Sequence, residues 1–220
     1  MMDVKPAATG RLIERTVVGV FGNKQHGKDT FAGLVDKHVR HTLKQRTKVF
    51  ALADPLKECA IHLLGMPRSA AIGEGIPREE RERLREEWVA YGKTARQWLQ
   101  WVGTELRDQI DKDLWIDHAI DTVIADDRGT HKFILTDCRF YHEHQNLFLK
   151  LTRLCVGFTT VRIHRPGVLV NLDHASESEV ASMDDEMFDY VVVNDGGLEQ
   201  LDMKAKEYVA WLESAIGAEV

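Results

Sequence analysis

Val17-Val18-Gly19-Val20-Phe21-Gly22-Asn23-Lys24-Gln25-His26-Gly27-Lys28-Asp29-Thr30 brings the signals of a strand, a loop and a helix together in one short stretch. An apolar, largely β-branched run stops at Gly22, four residues pass, and Gly27-Lys28 opens a helical segment from Thr30 to about Arg40. In that context G-x-x-x-x-G-K reads as a phosphate cradle. The glycines let the loop close around an anion, backbone N–H groups and the helix N-terminus face the phosphate oxygens, and Lys28 reaches the outer phosphates. The residue after the lysine is Asp29, where a Ser or Thr hydroxyl usually serves Mg2+. Its carboxylate would have to take over that task, directly or through water. Without the flanking strand and helix, the same residues would suit an ordinary glycine-containing turn.

Working outward, 220 residues suffice for one domain with a sizeable core and room for an inserted subdomain. A net charge of −6 excludes a long surface that tracks DNA or RNA, so any basic site must be local. Cys59, Cys138 and Cys155 lie far apart with no C-x-x-C pair, which predicts reduced core or near-core thiols in a cytoplasmic protein. No stretch is apolar enough to span a membrane. Lys5, Arg11, Glu14 and Arg15 punctuate the first residues without an apolar run, so no signal peptide is expected.

Four more strand-like runs follow the first: Lys48–Ala53, Lys132–Thr136, Thr160–His164 and Tyr190–Val193. Short apolar runs of this kind suit parallel strands covered on both faces. Helical segments between them predict a doubly wound α/β fold with a parallel sheet. Two intervals, from Asp54 to His131 and from Arg165 to Asp189, exceed what a crossover needs, and are where a three-layer core would carry a substrate-binding insertion and a lid. Within the first, Arg78–Glu87 reads as a solvated helix of alternating charge. In the helix expected over Thr94–Asp108, Arg96, Gln100, Gly103 and Arg107 share one face. That face is either solvated or, with small Gly103 between the arginines, open to a planar or phosphorylated ligand. Leu99, Val102 and Leu106 form the adjoining apolar stripe.

Ligands of such sheets bind beyond the carboxyl ends of the strands. After the second strand comes Asp54-Pro55-Leu56-Lys57, which is either a helix cap or an acceptor site with Lys57 on an anion. After the third comes Asp137-Cys138-Arg139-Phe140: a strand ending in Asp beside a phosphate loop suits a metal's water shell, and Arg139 would point into the same cleft. Arg165 follows the fourth strand, and the turn Asn194-Asp195-Gly196-Gly197 follows the fifth. His142-x-His144 lacks a third metal ligand, Ser176-x-x-Glu179 reads as a capping box, and Trp98, Trp101, Trp115 and Trp211 read as packing residues, although one of the first pair could flank a base.

Taken together, the motifs G-x-x-x-x-G-K-D-T (Gly22–Thr30), L-A-D-P-L-K (Leu52–Lys57), R-x-x-L-Q-x-x-G-T-E-L-R (Arg96–Arg107), D-x-R-F-x-x-E (Asp137–Glu143), H-x-S-E (His174–Glu177) and N-D-G (Asn194–Gly196) resemble the bacteriophage-type deoxynucleoside monophosphate kinases, a branch of the P-loop nucleoside monophosphate (NMP) kinases. They run in the family's order from Val17 to about Val209, and G-K-D-T is itself a feature of the group. The resemblance implies a three-layer P-loop kinase core (17–54, 131–164 and 189–220) with strand order 2-3-1-4-5. It also implies a monophosphate-binding insertion (55–130), a lid (165–188), a homodimer and, for a phage-encoded protein, the host cytoplasm.

The implied reaction moves the γ-phosphoryl of ATP to a deoxynucleoside monophosphate. ATP would be held by Gly22, Asn23, Gly27, Lys28, Asp29, Thr30, Asn194 and Gly196, and Mg2+ by Asp29 and Asp137. Lys28, Arg139 and Arg165 would be catalytic, Arg165 as a cis arginine finger. Asp54, Lys57, Arg96, Gln100, Arg107 and Arg139 would bind the acceptor, with Gln100 on the base edge. Two rival readings are a phosphomevalonate-kinase-type enzyme, which shares the G-K-D loop and P-L-K segment, and a P-loop binding module without turnover. Lys28, Asp137, Arg139 and Arg165 together argue against the second.

Overall fold

The computed structural model describes residues 15–73, 75–169 and 175–217. The chain forms two compact units, one of Met1–Ala51 with Ala119–Val220 and the other of Leu52–His118.

The first unit is built on five parallel strands: β1 (Thr16–Phe21), β2 (Thr47–Ala51), β5 (Lys132–Cys138), β6 (Gly157–His164) and β7 (Tyr190–Val193). Their order is β2-β5-β1-β6-β7. Labels β3 and β4 belong to a separate hairpin, so the sheet strands counted along the chain run 2-3-1-4-5. Alternation along β1 explains the layers. Val18 and Val20 pack with Phe31 and Val35 of α1 (Lys28–His38), and with Leu201, Tyr208 and Leu212 of the C-terminal helix (Leu198–Gly217). Phe21 instead meets His144 of the helix Tyr141–Arg153, with ring centroids 5.7 Å apart. Helices thus cover both faces, and β1 is buried throughout. After α1 the backbone widens into a π turn, Val39–Leu43, before β2.

Several boundaries differ from the sequence reading, among them β2, which runs Thr47–Ala51 instead of Lys48–Ala53. Helix α1 begins at Lys28, because Gly27 in left-handed conformation already turns the chain and its carbonyl accepts from Phe31 N at 2.8 Å. Strand β5 continues to Cys138, and β6 starts at Gly157, paired with Thr16. Cys155 is exposed rather than near-core, lying in the turn that leads into β6. Among the described residues no helix is long and apolar enough to cross a membrane.

The second unit packs Ala60 of α2 (Asp54–Leu64), Met66, Ala70, Ala71 and Ala95 into a small core with Leu84, Trp88, Trp98 and Leu99 around it. Its principal helix, α5 (Ala95–Gln109), has a reciprocal cap: Thr94 Oγ1 accepts from Gln97 N and Gln97 Oε1 from Thr94 N. The hairpin β3–β4 (Val89–Ala90 with Lys93–Thr94) leads into it. The charged helix α4 (Arg78–Glu87) is more than a solvated face. Arg85 donates to the Ala70 and Ala71 carbonyls, closing the short α3 helix (Arg68–Ala71), while Glu82 and Glu86 pair with Arg96.

Candidate active site

In the phosphate loop, the two motif glycines sit where no side chain fits. Gly22 has φ +144°, and a Cβ there would lie 2.5 Å from Ile163 O; Gly27 has φ +96°, and its Cβ would lie 2.6 Å from Asn194 Nδ2. Asn194, reaching in from the end of β7, donates to His26 O at 2.9 Å and so clamps the loop. His26 is buried with Nδ1 3.2 Å from Ile163 O, and burial lowers its pKa. Lys28 is buried too, its ammonium donating to Asn23 O at 2.9 Å. Burial, with Arg139 nearby, lowers its pKa, against the pull of Asp137, Asp29 and Glu177. Asp29 and Thr30 are exposed on the first turn of α1.

Beside the loop, β5 carries a bulge. Gly19 pairs with Leu135 but Phe21 with Cys138, so β5 spends one residue more than β1 over the same span. Asp137 takes up this residue at φ +70°. Bulges re-aim side chains next to sites, and this one directs the carboxylate onto Arg139, whose Nε donates to Asp137 Oδ1 at 2.7 Å. Glu143 Oε2 accepts from Arg139 N at 2.7 Å and Phe140 N at 3.0 Å, holding the turn after the strand. Burial pushes the Glu143 carboxyl up to about 7.

Glu177 was quoted in a motif but given no role by sequence reasoning. Nearly buried on the helix Ala175–Ser182, it joins these parts. Its Oε1 accepts from Arg139 Nη1 at 2.9 Å, and its Oε2 from Lys24 N at 2.7 Å and Asn23 Nδ2 at 3.1 Å. The backbone O of Glu177 accepts from Asn23 Nδ2 at 2.8 Å. Arg162 was also missed. Buried within β6, it donates to the Val180 and Met183 carbonyls and anchors the end of the same helix. A charged residue inside an apolar strand run was the available signal, whereas nothing local distinguished Glu177 from other helix-start acids. His174 of the H-x-S-E motif lies outside the described residues.

The structure therefore brings Asn23, Lys28, Asp137 and Arg139 together, with Asn194 bracing the loop. Arg165 is exposed beyond β6. Gly196 belongs to the turn into the C-terminal helix, where Gln200 Oε1 accepts from Gly197 N at 3.1 Å.

Within the Leu52–His118 unit, Lys57 Nζ donates to Asp54 Oδ1 at 2.8 Å. Arg96 pairs with Glu82 and Glu86, Arg107 with Asp108 at 3.0 Å, and Gln100 is exposed. Gly103 does not leave open space for a ligand. A Cβ there would lie 3.3 Å from Leu56 Cδ2, and its carbonyl accepts from Trp115 Nε1 at 3.1 Å. The small residue admits helix packing instead.

The donor chemistry suits a metal–nucleotide complex. No three His, Cys, Asp or Glu groups cluster to hold a metal among the described residues. Mg2+ bound to a nucleotide needs only one or two protein carboxylates besides phosphate and water, and Asp29 and Asp137 are of that kind.

A family profile described as Deoxynucleotide monophosphate kinase matches residues 79–205. No curated protein sequence matches significantly. Among solved structures, APS kinase CysC of Mycobacterium tuberculosis (Cys556Ala mutant) is similar at 15% identity and TM-score 0.41, over 90% of this chain and 97% of that one. The same kinase in complex with AMPPNP and APS gives 15% and 0.41, over 90% and 98%. Dephospho-CoA kinase from Campylobacter jejuni gives 11% and 0.45, over 90% and 97%.

Proposed function

This chain belongs to the deoxynucleotide monophosphate kinase family, and from that premise we propose that it transfers the γ-phosphoryl of ATP to a deoxynucleoside 5′-monophosphate, with Mg2+, yielding ADP and the diphosphate. The observation that carries this reading is the convergence of Lys28, Arg139, Asp137 and Glu177 on one glycine loop. A module that only holds a nucleotide needs the loop amides. A buried ammonium and a doubly anchored guanidinium suit a site where charge shifts during phosphoryl transfer.

Mg2+, when bound, supplies charge neutralisation on the phosphate oxygens, with Asp29 and Asp137 as its protein partners. Backbone N–H groups of Gly22–Thr30 hold the phosphates, while Asn194 and the turn at Gly196 support the loop. Lys28 exchanges the Asn23 carbonyl for phosphate oxygen, and its screening from water strengthens that attraction. Arg139 spans the transferring and acceptor phosphates, its fork orientation set by Asp137 and Glu177. Arg165, on the 165–188 lid, closes over the phosphates. Lys57, Arg96 and Arg107 serve the acceptor phosphate, Asp54 orients Lys57, and Gln100 reads the base.

A coupled ADP-release assay over a panel of deoxynucleoside monophosphates, ribonucleoside monophosphates and phosphomevalonate tests this. Turnover with at least one deoxynucleoside monophosphate, lost in Lys28→Ala, is the expected result. Turnover with phosphomevalonate alone would reassign the acceptor, and none with any acceptor would leave a binding module.

A further inference from the structure

Away from the phosphate loop, Arg40, Gln45, Arg46, Lys48, Asp126 and Arg128 line a cleft of about 320 Å³ in the sheet-bearing unit. Thr47 starts β2 and pairs with Lys132 at the start of parallel β5, so the cleft sits at the amino edge of the sheet. The phosphate loop follows the carboxyl end of β1. A strand of this sheet rises ~3.3 Å per residue, which puts roughly 20 Å between the two edges.

Four cations (Arg40, Arg46, Lys48, Arg128) line this cleft with one lining carboxylate, Asp126, and a second, Asp36, paired with Arg40 at 2.8 Å, in a chain of net charge −6. The lining carboxylate is occupied by its own turn: Asp126 Oδ2 accepts from Arg128 N and Thr130 N, each at 3.2 Å. Arg40 commits Nε to Asp36 and Thr47, and Arg46 commits one Nη to the Arg128 carbonyl, so each keeps further N–H groups. Among the described residues, Arg46, Lys48 and Arg128 have no carboxylate partner within ion-pair distance. Gln45 Oε1 is buried there without a hydrogen-bond partner, an acceptor that costs free energy until a donor reaches it. Arg40 belongs to the π turn Val39–Leu43, a conformation concentrated at functional sites.

We propose that this cleft is a second nucleotide site, with phosphates on Arg40, Arg46, Lys48 and Arg128 and a hydroxyl or amino group of the nucleoside donating to Gln45 Oε1. The volume suits one small ligand, and the acidic chain as a whole does not suit a nucleic-acid polymer. The site is independent of the transfer site proposed above.

Backbone amide NMR on the full chain reads both sites in one titration, using Asn23–Thr30 for the loop and Gln45–Lys48 with Arg128–Thr130 for the cleft. ATP is expected to shift both sets, with separate saturation curves. The double substitution Lys48→Glu/Arg128→Glu should weaken cleft binding about tenfold or more, as expected for losing charge-assisted contacts, with the loop curve unchanged. That unchanged curve also shows that the variant is folded. Gln45→Leu should weaken ATP at the cleft but leave tripolyphosphate there unaffected. Cleft amides that ATP does not move, or that move equally in the charge-reversed variant, would overturn the proposal. Equal ATP binding in Gln45→Leu would overturn the nucleotide assignment in favour of a bare phosphoanion.

Discussion

The sheet-bearing unit and the Leu52–His118 unit both carry cations that the proposed function assigns to phosphate, but they hold them in different ways. Around the loop, Arg139 is gripped by Asp137 and Glu177, Lys28 is buried against Asn23 O, and Asn194 clamps the backbone. In the other unit, Arg96, Lys57 and Arg107 pair with carboxylates of nearby helical residues, most of which are well exposed, whereas Glu177 beside Arg139 is buried. Pairs of that second kind contribute only about 0–1 kcal/mol each. They can be exchanged for a phosphate at small cost. The loop is organised in advance for one geometry, whereas these pairs remain adjustable.

Lys28→Ala gives the largest expected effect. Removing the buried ammonium should lower kcat by roughly 10³-fold or more, the scale of phosphate-clamp effects. Melting temperature should hold or rise, because a desolvated charge leaves with it. A variant with near-parental turnover would erase the distinction between the two units.

Next comes Glu177→Gln, which keeps the shape but removes the charge that orients Arg139. Hydrogen bonds to charged groups contribute about 1.5–3 kcal/mol, so kcat should fall about 10- to 100-fold. The double variant Arg139→Ala/Glu177→Gln should be slower than Arg139→Ala alone only by what the Glu177 contacts to Asn23 and Lys24 contribute, so the two losses should be less than additive. Additive losses would mean that Glu177 has a separate task.

On the acceptor side, Gln100→Ala should change the kcat/KM ratio between two deoxynucleoside monophosphates by about 1–3 kcal/mol, the size of one base-edge readout. Arg96→Ala should raise KM for every acceptor alike and leave KM for ATP in place. If neither variant alters acceptor kinetics, this polar face is merely solvated.

The last effect is one on stability, a pH slope. Glu143 has its carboxyl raised from 4.5 to about 7 by burial, so the folded state holds its proton more tightly than the unfolded chain. Its contribution is therefore complete below about 4.5 and lost as pH rises through about 7. Urea unfolding across that window should show stability falling with pH in the parent, relative to Glu143→Gln. Parallel curves would show that the carboxyl titrates normally.

Much of the core was legible because its signals are local. The β-branched runs, the spacing of Gly22, Gly27 and Lys28, and the acids and arginines after strand ends depend on near neighbours in sequence. The bulge at Asp137 was not legible. It arises from a register difference between β1 and β5, which only pairing creates. Arg85 and Glu82 looked like surface charges because the carbonyls of α3 and the guanidinium of Arg96 are distant in sequence. Gly103 looked like room for a ligand because helix packing against Leu56 leaves no trace in a helical repeat.

By itself, the sequence determined the parallel α/β sheet, its 2-3-1-4-5 order through family resemblance, and the phosphate loop with Lys28 at the start of a helix. The strands and the loop follow from backbone preferences and hydrophobic periodicity, which act over a few residues; the strand order came from the resemblance alone. Only the tertiary structure decided that Glu177 reaches Asn23, Lys24 and Arg139, that Arg162 is buried to hold its helix, and that basic residues from two strand ends share a cleft. Such contacts join positions far apart in the chain. Their energies depend on burial and exact approach, which no local pattern of residues encodes.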